Sequence, residues 1–319
     1  MTGGSVPAPK PARALATGGP GSSGVAYGAD WSASLRLGTD AELRGWVETA
    51  LGWCDAADDI ALRHFRQHPV TTRKPDRSFV TEADTAVERL IRERVADAYP
   101  DHGVVGEEYG SDGGGASVRW IVDPIDGTHN YLRGIPVFAT LLGVERDGEL
   151  QAGIISAPAM GTRWYAWRGG GAWAAGPFAG SGPFAGSGAG APRRIHVTAI
   201  DRLDEAQVIY AGTQDVARTG KAPGFTRLLQ STWRERGFGE FWGYGLVAEG
   251  AAEVMLEVGL SIWDIAAPAV LVEEAGGRVT DFEGRRIFDG GTTLATNGVL
   301  HDQVRRILTE RLAEETVRA

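Results

Sequence analysis

The first clear periodicity in the chain is helical. Leu43, Trp46, Val47, Ala50, Leu51, Cys54, Ala57, Ile60, Ala61 and Phe65 fall on one face of a helix, which predicts a long amphipathic element. Thr39-Asp40-Ala41-Glu42 ahead of it has the form of a capping box, so order is expected to begin near Thr39. Ala83, Val87, Leu90, Ile91, Val95 and Ala98 predict a second helix that stops before Pro100. Short apolar runs predict strands at Phe79-Val80-Thr81, Val104-Val105, Trp120-Ile121-Val122, 137–144, 153–156 and 163–167.

Beyond residue 192 the pattern alternates. Strands are expected at 207–210, 253–257, 279–281 and 293–295, and helices at 225–230, 241–250, 263–275 and 300–312. Gly276-Gly277 supplies a left-handed cap for the third of these helices. Such alternation predicts a layered α/β (α+β) fold. Residues 169–192 are rich in Gly and Ser and carry Pro-Phe-Ala-Gly-Ser-Gly twice in tandem, so they are read as a flexible insert at a hairpin tip. The expected organisation is a disordered tail at 1–39, an α+β domain at 40–192 containing the insert, and an α/β domain at 193–319.

Charge and composition narrow the chemistry. The formal charge is −9, so there is no basic surplus to neutralise a nucleic-acid polymer. No apolar run approaches the roughly 18–20 residues of a membrane span. Cys54 is the only cysteine, which excludes an internal disulfide and a cysteine-based zinc site and favours a reducing, cytoplasmic setting.

What stands out is a repeated placement of acids. The apolar run Trp120-Ile-Val delivers Asp123 at its end. Pro124 then fixes the backbone, Asp126 follows three residues on, and Gly127 permits close backbone approach. If a helix starts at Gly127-Thr128, its free amides offer a phosphate site. Glu107 and Glu108 follow another short strand, and Asp84 and Asp264 stand at two helix starts, where a capping acid is the plainer account. Hard oxygens gathered from several element ends suit Mg²⁺.

Gly106-Glu107-Glu108, Asp123-Pro-Ile-Asp-Gly-Thr128 and Trp263-Asp264-x-Ala-Ala, followed by Glu274-Ala-Gly-Gly277, resemble the signatures of the inositol monophosphatase family over residues 40 to 312. Lys74-Pro-Asp76, Val80-Thr-Glu-Ala-Asp84, Ser156-Ala-Pro-Ala159 with Arg163-Trp164, Gly239-Glu-Phe-Trp242-x-Tyr244 and Asn297-Gly-x-Leu-His301 are similar to its bacterial histidinol-phosphate phosphatase branch. The resemblance implies an αβαβα sandwich, a tendency to dimerise, and hydrolysis of a small phosphate monoester by metal-activated water. It implies that Glu107, Asp123 and the carbonyl of Ile125 hold one Mg²⁺ and that Asp123, Asp126 and Asp264 hold a second. Glu107 would support a weaker third. Asp84 and Thr128 would polarise the attacking water, and the Gly127 and Thr128 amides would cradle the phosphate.

Glu257, His129, Arg234, Glu240 and Trp242 are the candidates for the substrate's organic part. His129 replaces the lysine that commonly follows the Asp-Gly-Thr threonine in that branch, and Glu240 replaces an aspartate. The first expected substrate is histidinol phosphate, of histidine biosynthesis. A cyclitol, sugar or nucleotide phosphate is the alternative, and a non-catalytic metal-binding relative the remote one.

Overall fold

A computed structural model describes residues 40–67, 71–73, 79–176, 190–288 and 291–310. Thr39, the expected tail, Lys74-Pro-Asp76 and the tandem repeat lie outside the described residues. The chain opens with α1 (Asp40–His64), β1 (Thr71–Arg73), β2 (Phe79–Thr81) and α2 (Glu82–Ala98). Next come β3 (Gly103–Gly106), β4 (Gly110–Asp112), β5 (Val118–Asp126), α3 (Thr128–Leu132), β6 (Ala139–Arg146) and β7 (Glu149–Ala157). Then β8 (Thr162–Trp167), β9 (Gly171–Gly176), β10 (Gly190–Ile195) and β11 (Gln207–Tyr210) precede α4 (Thr213–Arg218) and α5 (Ala222–Ser231). The remainder is β12 (Arg234–Arg236), α6 (Glu240–Ala248), β13 (Val254–Val258), α7 (Ile262–Glu274), β14 (Arg278–Thr280), β15 (Thr292–Thr296) and α8 (His301–Thr309).

Two sheets carry the fold. The larger has the order β10-β9-β8-β7-β6-β5-β3-β4, and the smaller β12-β11-β13-β15-β14. The apolar stripes found in the sequence decide what lies on each face. Leu43, Trp46, Val47, Ala50, Trp53 and Cys54 of α1, with Ile91 and Val95 of α2, pack on Trp120, Val122, Leu142 and Ile154 of the large sheet. Its other face meets α6 and α7, which are sandwiched against Ile209, Met255, Val279 and Ala295 of the small sheet. Val216, Phe225, Leu228, Val304 and Leu308 of α4, α5 and α8 cover the far side of the small sheet. The result is the expected αβαβα order. Contact across the middle layer is close because Gly143 and Gly153 face α7: a Cβ there would lie 2.6 Å from the Ala266 Cβ and 2.5 Å from the Ala267 carbonyl, respectively.

Two expectations are corrected. Gly171–Gly176 and Gly190–Ile195 pair antiparallel as β9 and β10, so the insert cannot span 169–192. The glycines and alanines gave no strand signal, and the strands exist because β8 offers β9 an edge. The boundary at 192/193 also divides β10, which belongs to the first sheet through Ile195. The largest apolar cluster draws on both halves, so each completes the other's core.

Candidate metal centre

β3 and β5 run parallel, with Gly106 opposite Val122, so their carboxyl ends lie side by side. Glu107 leaves the end of β3, its N–H donating to the Val122 carbonyl at 3.2 Å, next to Asp123. Buried Glu88 of α2 holds that turn by accepting from the N–H groups of Glu108 and Tyr109 at 2.7 and 3.1 Å. At Asp123 the ladder with β6 breaks, and it resumes at Asp126. Pro124 sits in this bulge, where no amide hydrogen is needed. The Asp123 carboxylate accepts from the Ile125 N–H at 3.0 Å, and the Thr128 hydroxyl donates to the Ile125 carbonyl at 3.0 Å. Gly127 has φ +81°, and a Cβ there would be 2.9 Å from the Val137 carbonyl.

Asp84 and Asp264 are each the third residue of a helix. Thr81 caps α2: its hydroxyl accepts from the Ala83 N–H and donates to Asp84 Oδ2 at 2.5 Å, and its N–H donates to the same oxygen at 2.8 Å. Asp84 Oδ1 is buried and has no hydrogen-bond partner among the described residues. At α7 the Ser261 N–H donates to Asp264 Oδ2 at 2.6 Å. The capping account of both acids is therefore correct, and a carboxylate has a second oxygen to spend elsewhere.

That second use is visible at α7. Asp123, Asp126 and Asp264 each offer an oxygen within 4.8 Å of the others. Asp123 is 1% exposed and Asp126 9%. Burial pushes both carboxyls well above the ordinary range; the acids Glu107, Asp126, Asp264 and Asp84 push Asp123 further, and Glu240, Asp264 and Glu257 push Asp126 further. Asp84 rises to about 6, chiefly by burial, with Glu107 adding to the rise. Acids gathered this closely favour a cation, and an all-oxygen donor set fits a hard divalent ion such as Mg²⁺.

A second acidic pair adjoins the first. Glu257, at the carboxyl end of β13, is buried and accepts from the Tyr244 hydroxyl at 3.0 Å; burial and the nearby Glu240 raise it to about 8. Glu240 opens α6, and the Phe241 N–H beside it donates to Asp126 at 2.8 Å, tying the two halves together. Asn130 of α3 donates to the Glu240 carboxylate at 3.3 Å.

The inositol monophosphatase family matches residues 42–319. The chain belongs to that family. It is 40% identical over 256 residues to a histidinol-phosphatase of Mycobacterium tuberculosis, covering 80% of this chain and 94% of that one. Identity to a histidinol-phosphatase of Streptomyces coelicolor is 40% over 262 residues, covering 81% and 94%. Among solved structures, an extragenic suppressor protein suhB from Bartonella henselae superposes with a TM-score of 0.73 at 27% identity, covering 83% of this chain and 99% of that one.

Within this family member the sequence-derived candidates divide. Glu107, Asp123, Asp126, Asp264 and Asp84 are brought together, with Glu240 and Glu257 beside them. Thr128 bonds to Ile125, as described, and not to Asp84. His129 is exposed and meets the Phe79 ring edge-on at 5.6 Å. Trp242 is half-buried and stacks on Phe238 with ring centroids 4.6 Å apart. Arg234 is the misplaced candidate: it is exposed on edge strand β12 opposite Gln207, at the end of the sheet away from Glu257. Its closeness in sequence to Glu240 is undone by the strand between them. His301 is buried between the hydroxyls of Thr280 and Thr296, at 2.9 and 3.0 Å. Sequence reasoning missed Glu88, Asn130 and Tyr244. Glu88 had one available signal, the tight turn at Gly106, where a Cβ would fall 2.1 Å from its carboxylate.

Proposed function

We propose that this chain is a Mg²⁺-dependent phosphomonoesterase acting on a small phosphate ester, with histidinol phosphate as its substrate. The observation that carries the reading is the convergence of Asp123, Asp126 and Asp264 within 4.8 Å, in a neighbourhood that also holds Glu107 and Asp84. Asp123, Asp126, Asp264, Glu107 and the Ile125 carbonyl are the groups that would hold two or three ions. Bound Mg²⁺ supplies positive charge for a phosphoryl group and lowers the pKa of coordinated water.

The remaining roles belong to the chain. The N–H groups of Gly127 and Thr128, at the start of α3, take phosphate oxygens. Asp84, anchored by Thr81 through Oδ2, has Oδ1 available to accept the proton of the attacking water. Thr128, whose hydroxyl donates to the Ile125 carbonyl, has lone pairs free to accept from that water. Glu257 and Glu240 accept the ammonium of histidinol, whose charge offsets two neighbouring acids. The relatives named histidinol-phosphatase support the substrate, and the same reading expects a cytoplasmic homodimer.

His129, in place of the lysine common in the histidinol-phosphatase branch, favours one second reading, the same chemistry on a cyclitol, sugar or nucleotide phosphate. Phosphate release across a substrate panel decides between them, run in excess Mg²⁺ with an EDTA control. Histidinol phosphate should give the highest kcat/KM. A cyclitol or nucleotide ester that surpasses it overturns the substrate, and no release from any ester with Mg²⁺ present overturns the reaction.

A further inference from the structure

Glu240 stands where three parts of the site meet. It is the first residue of α6 and has φ +48°, a left-handed value that a non-glycine residue keeps only when its surroundings hold it. Its own N–H lies against the Glu257 carboxylate, and the following amide, of Phe241, donates to Asp126. Its side chain meets Asn130, whose Nδ2 donates to Oε2 at 3.3 Å.

The Asn130 amide has a fixed orientation. Its nitrogen also donates to the Val137 carbonyl at 3.1 Å, a group that can only accept, so the amide cannot be turned round without losing both bonds. Gly127 packs beneath it: a Cβ there would lie 3.5 Å from Nδ2 and 2.9 Å from the same carbonyl. The turn that carries Asp123 and Asp126, the helix that follows it and this amide therefore form one rigid unit, and the unit ends on Glu240.

We infer that Asn130 is a positioning residue for substrate selection: it holds the Glu240 carboxylate beside Glu257, so that the two acids form a subsite for an ester whose organic part carries a primary ammonium. The inference rests on the function proposed above and adds the residue that enforces it. A neutral donor suits the task. A lysine or arginine at this position would neutralise Glu240, whereas an amide orients the carboxylate and leaves its charge for the ligand. An ammonium has three donors and can meet both acids, while a neutral polyol brings no charge to offset their proximity. The longer side chain of Glu240, where aspartate is usual in the branch this chain resembles, gives the reach to Asn130.

The test is a double-mutant cycle on the full chain in excess Mg²⁺. Wild type, Asn130→Ala, Glu240→Gln and the double variant are assayed on histidinol phosphate and on glycerol 2-phosphate, a neutral ester. Asn130→Ala should raise KM for histidinol phosphate about tenfold, the scale of one hydrogen bond to a charged group, with kcat nearly unchanged. KM for glycerol 2-phosphate should rise far less than KM for histidinol phosphate, and the substitution should add nothing to that difference in the Glu240→Gln background. Asn130→Ser, which keeps a small donor, replaces the alanine variant if that fails to fold, and a smaller rise in KM is expected from it. Equal effects on both esters, or additive effects in the double variant, overturn the inference. A wild type that prefers the cationic ester and keeps that preference in Asn130→Ala overturns it alone; a wild type with no such preference overturns the substrate reading as well.

Discussion

The two ends of α7 bury acids in opposite ways. At its start Asp264 joins Asp123 and Asp126, and Glu107, Asp126, Asp264 and Asp84 all press on Asp123. At its end, about 14 Å along the axis at 1.5 Å per residue, Glu273 is 3% exposed and receives two arginines. Arg168 donates to Glu273 and also to the Leu150 carbonyl at 3.0 Å. Arg286 donates to Glu273 at 3.0 Å and to Glu149 at 3.1 Å. Both arginines are 7% exposed. One end thus carries its counter-charge within the polypeptide and is finished when the chain folds. The other gathers like charges that a bound cation would offset, and that separates it from a structural ion network.

Substitution should affect the two ends with opposite sign. Asp123→Asn should lower kcat by roughly 10³-fold, the scale of losing one strong electrostatic contact in a reaction centre. In EDTA the same variant should be at least as stable as wild type, because it removes a charge from a repelling cluster. Phosphate release and urea denaturation measure the two effects. Glu273→Ala should do the reverse. It removes the acid shared by two buried guanidinium groups, leaving Arg286 with Glu149 and Arg168 with Glu274 and the Leu150 carbonyl, and should destabilise the protein by about 1–3 kcal/mol, while kcat per folded molecule stays near the wild-type value. A stability loss in Asp123→Asn as large as that in Glu273→Ala would erase the distinction between the ends.

This contrast was half legible in the sequence. The acids at the start of α7 were readable because each stands where an apolar run ends, and Trp120-Ile-Val followed by Asp123 and Asp126 is local enough to be seen without tertiary structure. The arginines at its far end were not readable, since Arg168, Glu273, Arg286 and Glu149 meet only after both sheets have closed on the helix. The same limit explains the other failures. β9 and β12 are strands because a neighbour offers them hydrogen bonds, although Gly171-Ala-Trp-Ala-Ala-Gly176 and Arg234-Glu-Arg236 have no alternating apolar face to announce it. Arg234 was drawn into the site by proximity along the chain, and Asn130 escaped notice because its partner lies 110 residues away.

Metal and pH sharpen the comparison further. Excess Mg²⁺ should raise the stability of wild type, by about 2.7 kcal/mol at a hundredfold excess over Kd, and should leave Asp123→Asn nearly unmoved. Without metal, Asp84 at about 6 and Glu257 at about 8 lie above the values near 4 that carboxyls have in an unfolded chain. The folded state therefore binds extra protons between those limits. Stability should be fullest near pH 4 and should fall as pH rises through 6 towards 8. Denaturation midpoints in EDTA across that range measure the slope, and Mg²⁺ should flatten it, since the bound ion takes over the neutralising role of the protons. A slope unchanged by Mg²⁺ would mean that the acids answer to something other than one another.

The smallest effect is expected at Thr81, where the site end of the comparison depends on a cap. Its hydroxyl accepts from the Ala83 N–H and donates to Asp84, so one oxygen serves the start of α2 and the orientation of the acid together. Thr81→Ala should destabilise the protein by about 1 kcal/mol, as the loss of an N-cap does, and should lower kcat several-fold, because the remaining backbone bond from the Thr81 N–H allows Asp84 to turn. Thr81→Ser keeps the hydroxyl and should restore both. Urea denaturation read beside kcat separates the two roles. If stability falls and kcat holds, the buried Oδ1 of Asp84 needs no fixed direction, and Asp84 is a capping residue that happens to lie near the other acids.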